Sequence, residues 1–147
     1  MKKSEDVFEE AKKIIQLIRL KKEADFIAVD LHGEITSEKM AMGYLFDGKA
    51  TVVVGTHTHV PTSDYRIMDK GTAYQTDIGM CGDYNSVIGM NSENSIKNFL
   101  KDPTALRHYP ATGEATICGL MVNADDNTGF AKNIQPISLG GVLENKL

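Results

Sequence analysis

Near the amino terminus the apolar positions fall at helical spacing: Val7, Ala11, Ile14 and Ile18 recur three and four residues apart, with Phe8, Ile15 and Leu17 widening the stripe. Ser4 is placed to cap this helix, and Glu5 and Asp6 suit its positive end. It is predicted to run to about Leu20, where Arg19, Lys21 and Lys22 oppose the macrodipole. The period then changes. Residues 26–29 form an apolar strand, Thr36 or Ser37 caps a second helix to about Phe46, and residues 51–54 are a β-branched run expected to be buried on both faces of a sheet. The order helix, strand, helix, strand favours a crossover and a parallel pair. Residues 65–68 and 72–78 flank Asp69-Lys70-Gly71 as a hairpin, and Asn91 or Ser92 caps a short helix that Asp102-Pro103 ends. Residues 115–123 and 130–137 flank a polar turn as a second hairpin, with Ile117, Gly119 and Met121 expected to face inward. The whole reads as one α/β domain over residues 1–147, with a mixed sheet and C-terminal β-hairpins.

Composition narrows the partners. A hydrophobic fraction of 41% and a charged fraction of 24% over 147 residues are those of a folded domain. A net charge of −4 without a basic stripe excludes long nucleic acid as the expected partner, though not a small nucleotide. Cys81 and Cys118 are isolated and read as reduced thiols. The amino terminus carries no apolar leader, and no segment approaches the roughly 18 apolar residues of a spanning helix, so the chain reads as cytoplasmic and free of membrane.

The candidate chemistry sits where apolar runs end. After Val52-Val53-Val54 come Gly55-Thr56-His57-Thr58-His59-Val60. If strand geometry continues past Gly55, His57 and His59 project from one face, as half of a site for Zn, Fe, Mn, Ni or Cu. The first strand ends likewise, in Asp30-Leu31-His32-Gly33, and two strand ends delivering histidine to one sheet edge point to a shared metal. Packing or hydrogen bonding of these histidines without metal is the competing reading. Other features are assigned to structure. The basic residues after the first helix are a solvated helix end, Met40 and Met42 are core, and His108 is surface. The Gly79–Ser86 segment is a connecting loop, with the wrapping of a phosphate as its alternative, and the Asp-rich turn at 124–129 lacks the ligand spacing of an EF-hand.

The run Asp30-Leu31-His32-Gly33-Glu34-Ile35-Thr36-Ser37-Glu38-Lys39, then Val54-Gly55-Thr56-His57-Thr58-His59-Val60, Lys70-Gly71-Thr72-Ala73-Tyr74, Thr76-Asp77-Ile78-Gly79-Met80 and Ile88-Gly89-Met90 resembles the YmdB-type metallophosphoesterases, in one order along nearly the whole chain after the first helix. The resemblance implies part of a calcineurin-like α/β/β/α sandwich. It implies a centre of two divalent ions (Fe, Mn or Zn), and hydrolysis of small phosphodiesters or nucleotides, cyclic nucleotides included. It also implies that His32, His57 and His59 are metal ligands. The G-D-x-x-G, G-E-N and G-N-H motifs of that family are absent, and with them an Asp, a bridging carboxylate, an Asn and the general-acid His. The chain therefore resembles the C-terminal half, with no catalytic residue of its own, unassigned substrate contacts and at most one metal when alone. Asp30, Glu34, Asp77 and Asp83 are the substitutes available, Asp77 being the best placed. A half-sheet leaves an edge and a face uncovered, so association is expected with a separately encoded N-terminal half or a second copy. Isolated, the chain is expected to be inactive; the alternative is a non-catalytic remnant or metal- and nucleotide-binding module.

Overall fold

The computed structural model describes residues 6–146. Helix α1 spans Val7–Leu17, and Asp6 is its cap, accepting from the Phe8 amide at 2.9 Å. The Ser4 cap proposed from sequence lies outside the described residues. The helix stops short of Leu20 because Ile18 takes extended dihedrals, after which the Lys21 amide closes a turn on the Ala24 carbonyl at 2.7 Å. Its packed face is Phe8, Ala11 and Ile15, while Val7, Ile14, Leu17 and Ile18 stay exposed. The predicted stripe is thus rotated by about one position. Arg19 pairs with Glu23 at 2.6 Å and Lys21 with Asp25 at 2.9 Å, so two of the three basic residues are paired locally.

Strands β1 (Ala28–His32) and β2 (Val52–Thr56) pair in parallel, from Ala28 opposite Val52 to His32 opposite Thr56. Helix α2 (Thr36–Phe46) joins them; Ile35 holds its cap position without a side-chain bond, so neither Thr36 nor Ser37 caps it. A tight turn with Gly71 at φ +95° joins β3 (Arg66–Ile67) to β4 (Ala73–Gln75). β4 lies parallel to β2 and antiparallel to β3, giving a mixed sheet in the order β1-β2-β4-β3. Met42, Phe46, Ala50, Val53, Met68 and Tyr74 form the core with Ala11, whereas Met40 is exposed. β2 is fully buried on one face only. Val53 and Gly55 lie beneath α2, while Val52 and Val54 on the opposite face are half-buried. Ala28, Asp30 and His32 are exposed on that second face, and the outer edge of β1 has no strand partner among the described residues.

Helix α3 (Ser92–Phe99) is capped by the Asn91 side chain, which accepts from the Asn94 amide at 2.9 Å. β5 (Ile117–Ala124) and β6 (Ala131–Leu139) form the C-terminal antiparallel hairpin. Its inward side is the reverse of the one expected: Cys118 is buried, and Ile117 and Met121 are exposed. Val122 and Ala124 line an open groove together with Ala28 and Val52 of the first sheet. Both sides of β5 carry apolar residues, so alternation alone did not choose between them, and a one-residue offset exchanges the faces. In the turn before β6, Asp125 accepts from the Asn127 and Thr128 amides at 2.8 and 3.0 Å, which is turn chemistry. No helix among the described residues is long and apolar enough to cross a membrane.

Candidate metal site at the strand ends

The parallel pairing of β1 and β2 sets His32 and Thr56 side by side, and the next residue, His57, completes a pair of imidazoles. His57 Nδ1 lies 3.1 Å from His32 Nε2, with the rings edge to face. The proton positions follow from the neighbours. Thr56 Oγ1 donates its only proton to Asp30 Oδ1 at 2.9 Å, so it accepts from His32 Nδ1 at 3.1 Å. In the neutral imidazole His32 Nε2 is then a bare lone pair, and His57 Nδ1 supplies the hydrogen between the rings. A cation displacing that one hydrogen would find two imidazole nitrogens. Two nitrogens each bound to zinc at about 2.0–2.1 Å sit roughly 3.3 Å apart in a tetrahedral site, so the pair fits such an ion. Asp30 and Thr56 are the outer partners that orient a ligating histidine. Sequence reasoning missed Thr56; its signal is a hydroxyl one residue from the H-x-H pair and in register with His32.

His59 does not join this pair. The strand ends at Thr56, and His57 and His59 adopt φ of +112° and +65°, so the extended geometry that would set them on one face is not continued. His59 Nδ1 instead donates to the Ile88 carbonyl at 2.8 Å, which leaves its Nε2 without the proton. Among the described residues, no three His, Cys, Asp or Glu side chains converge to hold a metal.

The carboxylates considered as substitute ligands divide. Asp77 is wholly buried and committed: Oδ2 accepts from Lys39 Nζ and the Thr58 amide, both at 2.9 Å, and Oδ1 from the Gly79 amide at 3.0 Å. Burial raises its pKa, but the Thr58 amide, Lys39 and the Gly79 amide outweigh that and hold it below the usual carboxylate value. It therefore supports the loop, although among the four available substitutes it is the best placed by sequence. Asp83 is taken up by the Asn85 and Gly113 amides. Glu34 is exposed, and Asp30 reaches the pair through Thr56. In the Gly79–Ser86 loop the amides of Gly79, Met80, Gly82 and Asn85 are already bonded to Asp77, Tyr84, Thr116 and Asp83. It is a connecting loop whose continuation brings the Ile88 carbonyl to His59. His108 is exposed, as expected.

Comparison with known proteins gives concordant matches. Over 116 residues, 79% of this chain and 44% of the relative, the sequence is 47% identical to a 2′,3′-cyclic-nucleotide 2′-phosphodiesterase of Bacillus subtilis (strain 168). The crystal structure of a novel phosphatase of Mycoplasma pneumoniae superposes with a TM-score of 0.83 at 39% identity, covering 94% of this chain and 48% of that one. A hypothetical protein from Thermus thermophilus gives 0.82 at 35% identity, covering 96% and 53%. The chain thus spans about half the length of these relatives. The family model described as YmdB-like protein matches residues 1–137, and the chain belongs to that family.

Proposed function

We propose that this chain supplies the histidine part of the site of a metal-dependent phosphodiesterase acting on small phosphodiesters such as 2′,3′-cyclic nucleotides. The observation that carries this reading is the 3.1 Å approach of His57 Nδ1 to His32 Nε2 at the carboxyl ends of adjacent parallel strands. The names borne by its relatives supply the substrate class. His32 and His57 would hold one divalent ion. When bound, such an ion polarises a phosphoryl oxygen as a Lewis acid. The chain's own residues do the preparatory work. Asp30 and Thr56 keep the His32 proton on Nδ1 and its Nε2 free, and the Ile88 carbonyl does the same for His59.

With two histidines converging and Asp77 and Asp83 bound elsewhere, a second, bridged ion has no carboxylate prepared for it among the described residues. The site is then completed by a polypeptide carrying the missing acidic and histidine motifs, and the unpaired edge of β1 is where its sheet would continue. The test is hydrolysis of 2′,3′-cyclic AMP with added Mn. The purified chain alone is expected to be inactive; mixed with such a polypeptide it should turn over, and His57→Ala should abolish the gain. A mixture inert with Mn, Fe and Zn alike overturns the proposal. The scarcity of ligands also favours a second reading, a module that binds one metal without hydrolysis. Tight binding of Zn in an inert mixture would select it.

A further inference from the structure

Lys39 and Asp77 form an ion pair from which water is excluded, their side chains being 1% and 0% exposed. Withdrawing two charges from water makes such a pair a poor device for stability alone, since apolar residues of the same volume often serve as well or better. What the pair touches is more telling. Lys39 Nζ donates to Asp77 Oδ2 at 2.9 Å and to the Thr56 carbonyl at 3.3 Å. Asp77 Oδ2 also accepts from the Thr58 amide. The two backbone groups taken up, Thr56 C=O and Thr58 N–H, stand on either side of His57. The stem of Lys39 runs across Gly55, where a Cβ would lie 2.5 Å from its Cδ. The loop thus held contains His57 and His59, both in the positive-φ region. Non-glycine residues persist there only where their surroundings over-determine them.

We infer that Lys39 and Asp77 are positioning residues for the site. They hold the His57-Thr58-His59 segment in its left-handed path, and so bring His57 Nδ1 to His32 Nε2. In functional terms this rests on the reading of those histidines as metal ligands, but the conformational claim does not depend on metal. Neither residue touches the reacting groups. A plain tie between α2 and the segment after β4 would explain the ion pair but not why both of its members grip the loop backbone.

The test compares three variants. Lys39→Met/Asp77→Leu removes both charges together and leaves no buried charge unpaired; Asp77→Asn leaves one acceptor oxygen where the Thr58 and Gly79 amides and Lys39 now share two. Thr72→Val serves as the control, because its buried hydroxyl bonds the Phe46 and Ala50 carbonyls on another side of the core. In the metal-free proteins, the HN–Hα couplings and the Cα and Cβ shifts of His57 and His59 report φ directly. Zn affinity is read separately by calorimetry on the folded fraction. The Lys39 and Asp77 variants should move those couplings toward averaged values and weaken Zn binding by about 10-fold or more. Thr72→Val should lower the melting temperature and leave both readings unchanged. Couplings that stay native in the folded Lys39→Met/Asp77→Leu protein overturn the inference. So does a loss of Zn affinity no greater than that of the control. If the parent chain takes up no Zn, the metal reading fails alone, and the couplings still decide whether the pair positions the loop.

Discussion

Gly55→Ala adds one methyl group at the place where β2, α2 and the segment after β4 meet. The backbone of Gly55 does not require positive φ; what it requires is space. The added Cβ would lie 2.5 Å from Lys39 Cδ and closer still to the Thr76 carbonyl oxygen. The lysine stem is flexible, but its Nζ is fixed by Asp77 and the Thr56 carbonyl. Thr76 is equally constrained, because its amide donates to Asp64 at 3.1 Å and the nearby Ile78 amide donates to the Gly55 carbonyl at 3.0 Å. Inserting a methylene into a packed core costs about 1–3 kcal/mol. Disturbing a buried ion pair adds to this, so about 3 kcal/mol is expected. In urea, with a slope of about 2 kcal/mol per molar, the unfolding midpoint should fall by about 1.5 M. Gly33→Ala is the matched comparison. A Cβ there meets nothing within 4 Å, and the change should stay within about 0.5 kcal/mol. A Gly55→Ala protein as stable as the Gly33→Ala protein would refute the argument that close approach, and not chain flexibility, demands glycine.

Two further outcomes are expected. Asp64 and Asp77 both titrate below the ordinary carboxylate value, in each case because hydrogen bonds from hydroxyl, amide or lysine groups outweigh the upward push of burial. Their stabilisation is therefore complete above the unfolded-state value of about 3.9 and is lost as pH falls through the lower folded values. Urea midpoints should be flat from about pH 7 to 5 and decline below about pH 4. Asp64→Asn should be weaker at neutral pH yet show a shallower acid decline; a steeper one would reverse the sign of the argument. Thr56→Val removes the hydroxyl that accepts from His32 and donates to Asp30. It should weaken Zn binding by about 10-fold while leaving the fold cooperative, and unchanged calorimetric affinity would exclude Thr56 as an orienting partner.

Short-range signals in the chain were enough for the element order, the parallel pairing of β1 and β2, the mixed sheet with two hairpins, and the arrival of His32 and His57 at one sheet edge. Those signals are the apolar period, β-branched runs, turn residues such as Lys70-Gly71, and a strand-end histidine on each side of a crossover. Where two faces were equivalent in sequence, local pattern could not choose. α1 carries apolar residues around much of its circumference, so its buried stripe of Phe8, Ala11 and Ile15 was set by the sheet it met. β5 is apolar on both sides, and tertiary packing, not its own alternation, put Cys118 inside and Ile117 and Met121 outside.

The fate of the H-x-H pair was a matter of long-range packing. Period-two projection presumes that extended backbone continues beyond Gly55. Lys39, 17 residues before Thr56 in the chain, and Asp77, 19 residues beyond Thr58, take up the backbone groups on either side of His57. That capture breaks the extended path and sends His59 to the Ile88 carbonyl, away from His57. Nothing within the window of residues 51–60 records it. Charged residues on a helix or after a strand read locally as solvated, and only burial against each other turned Lys39 and Asp77 into the support of the site. Local pattern fixes where backbone hydrogen bonds are made within an element. Which distant partner claims the groups left over at its end is settled by packing.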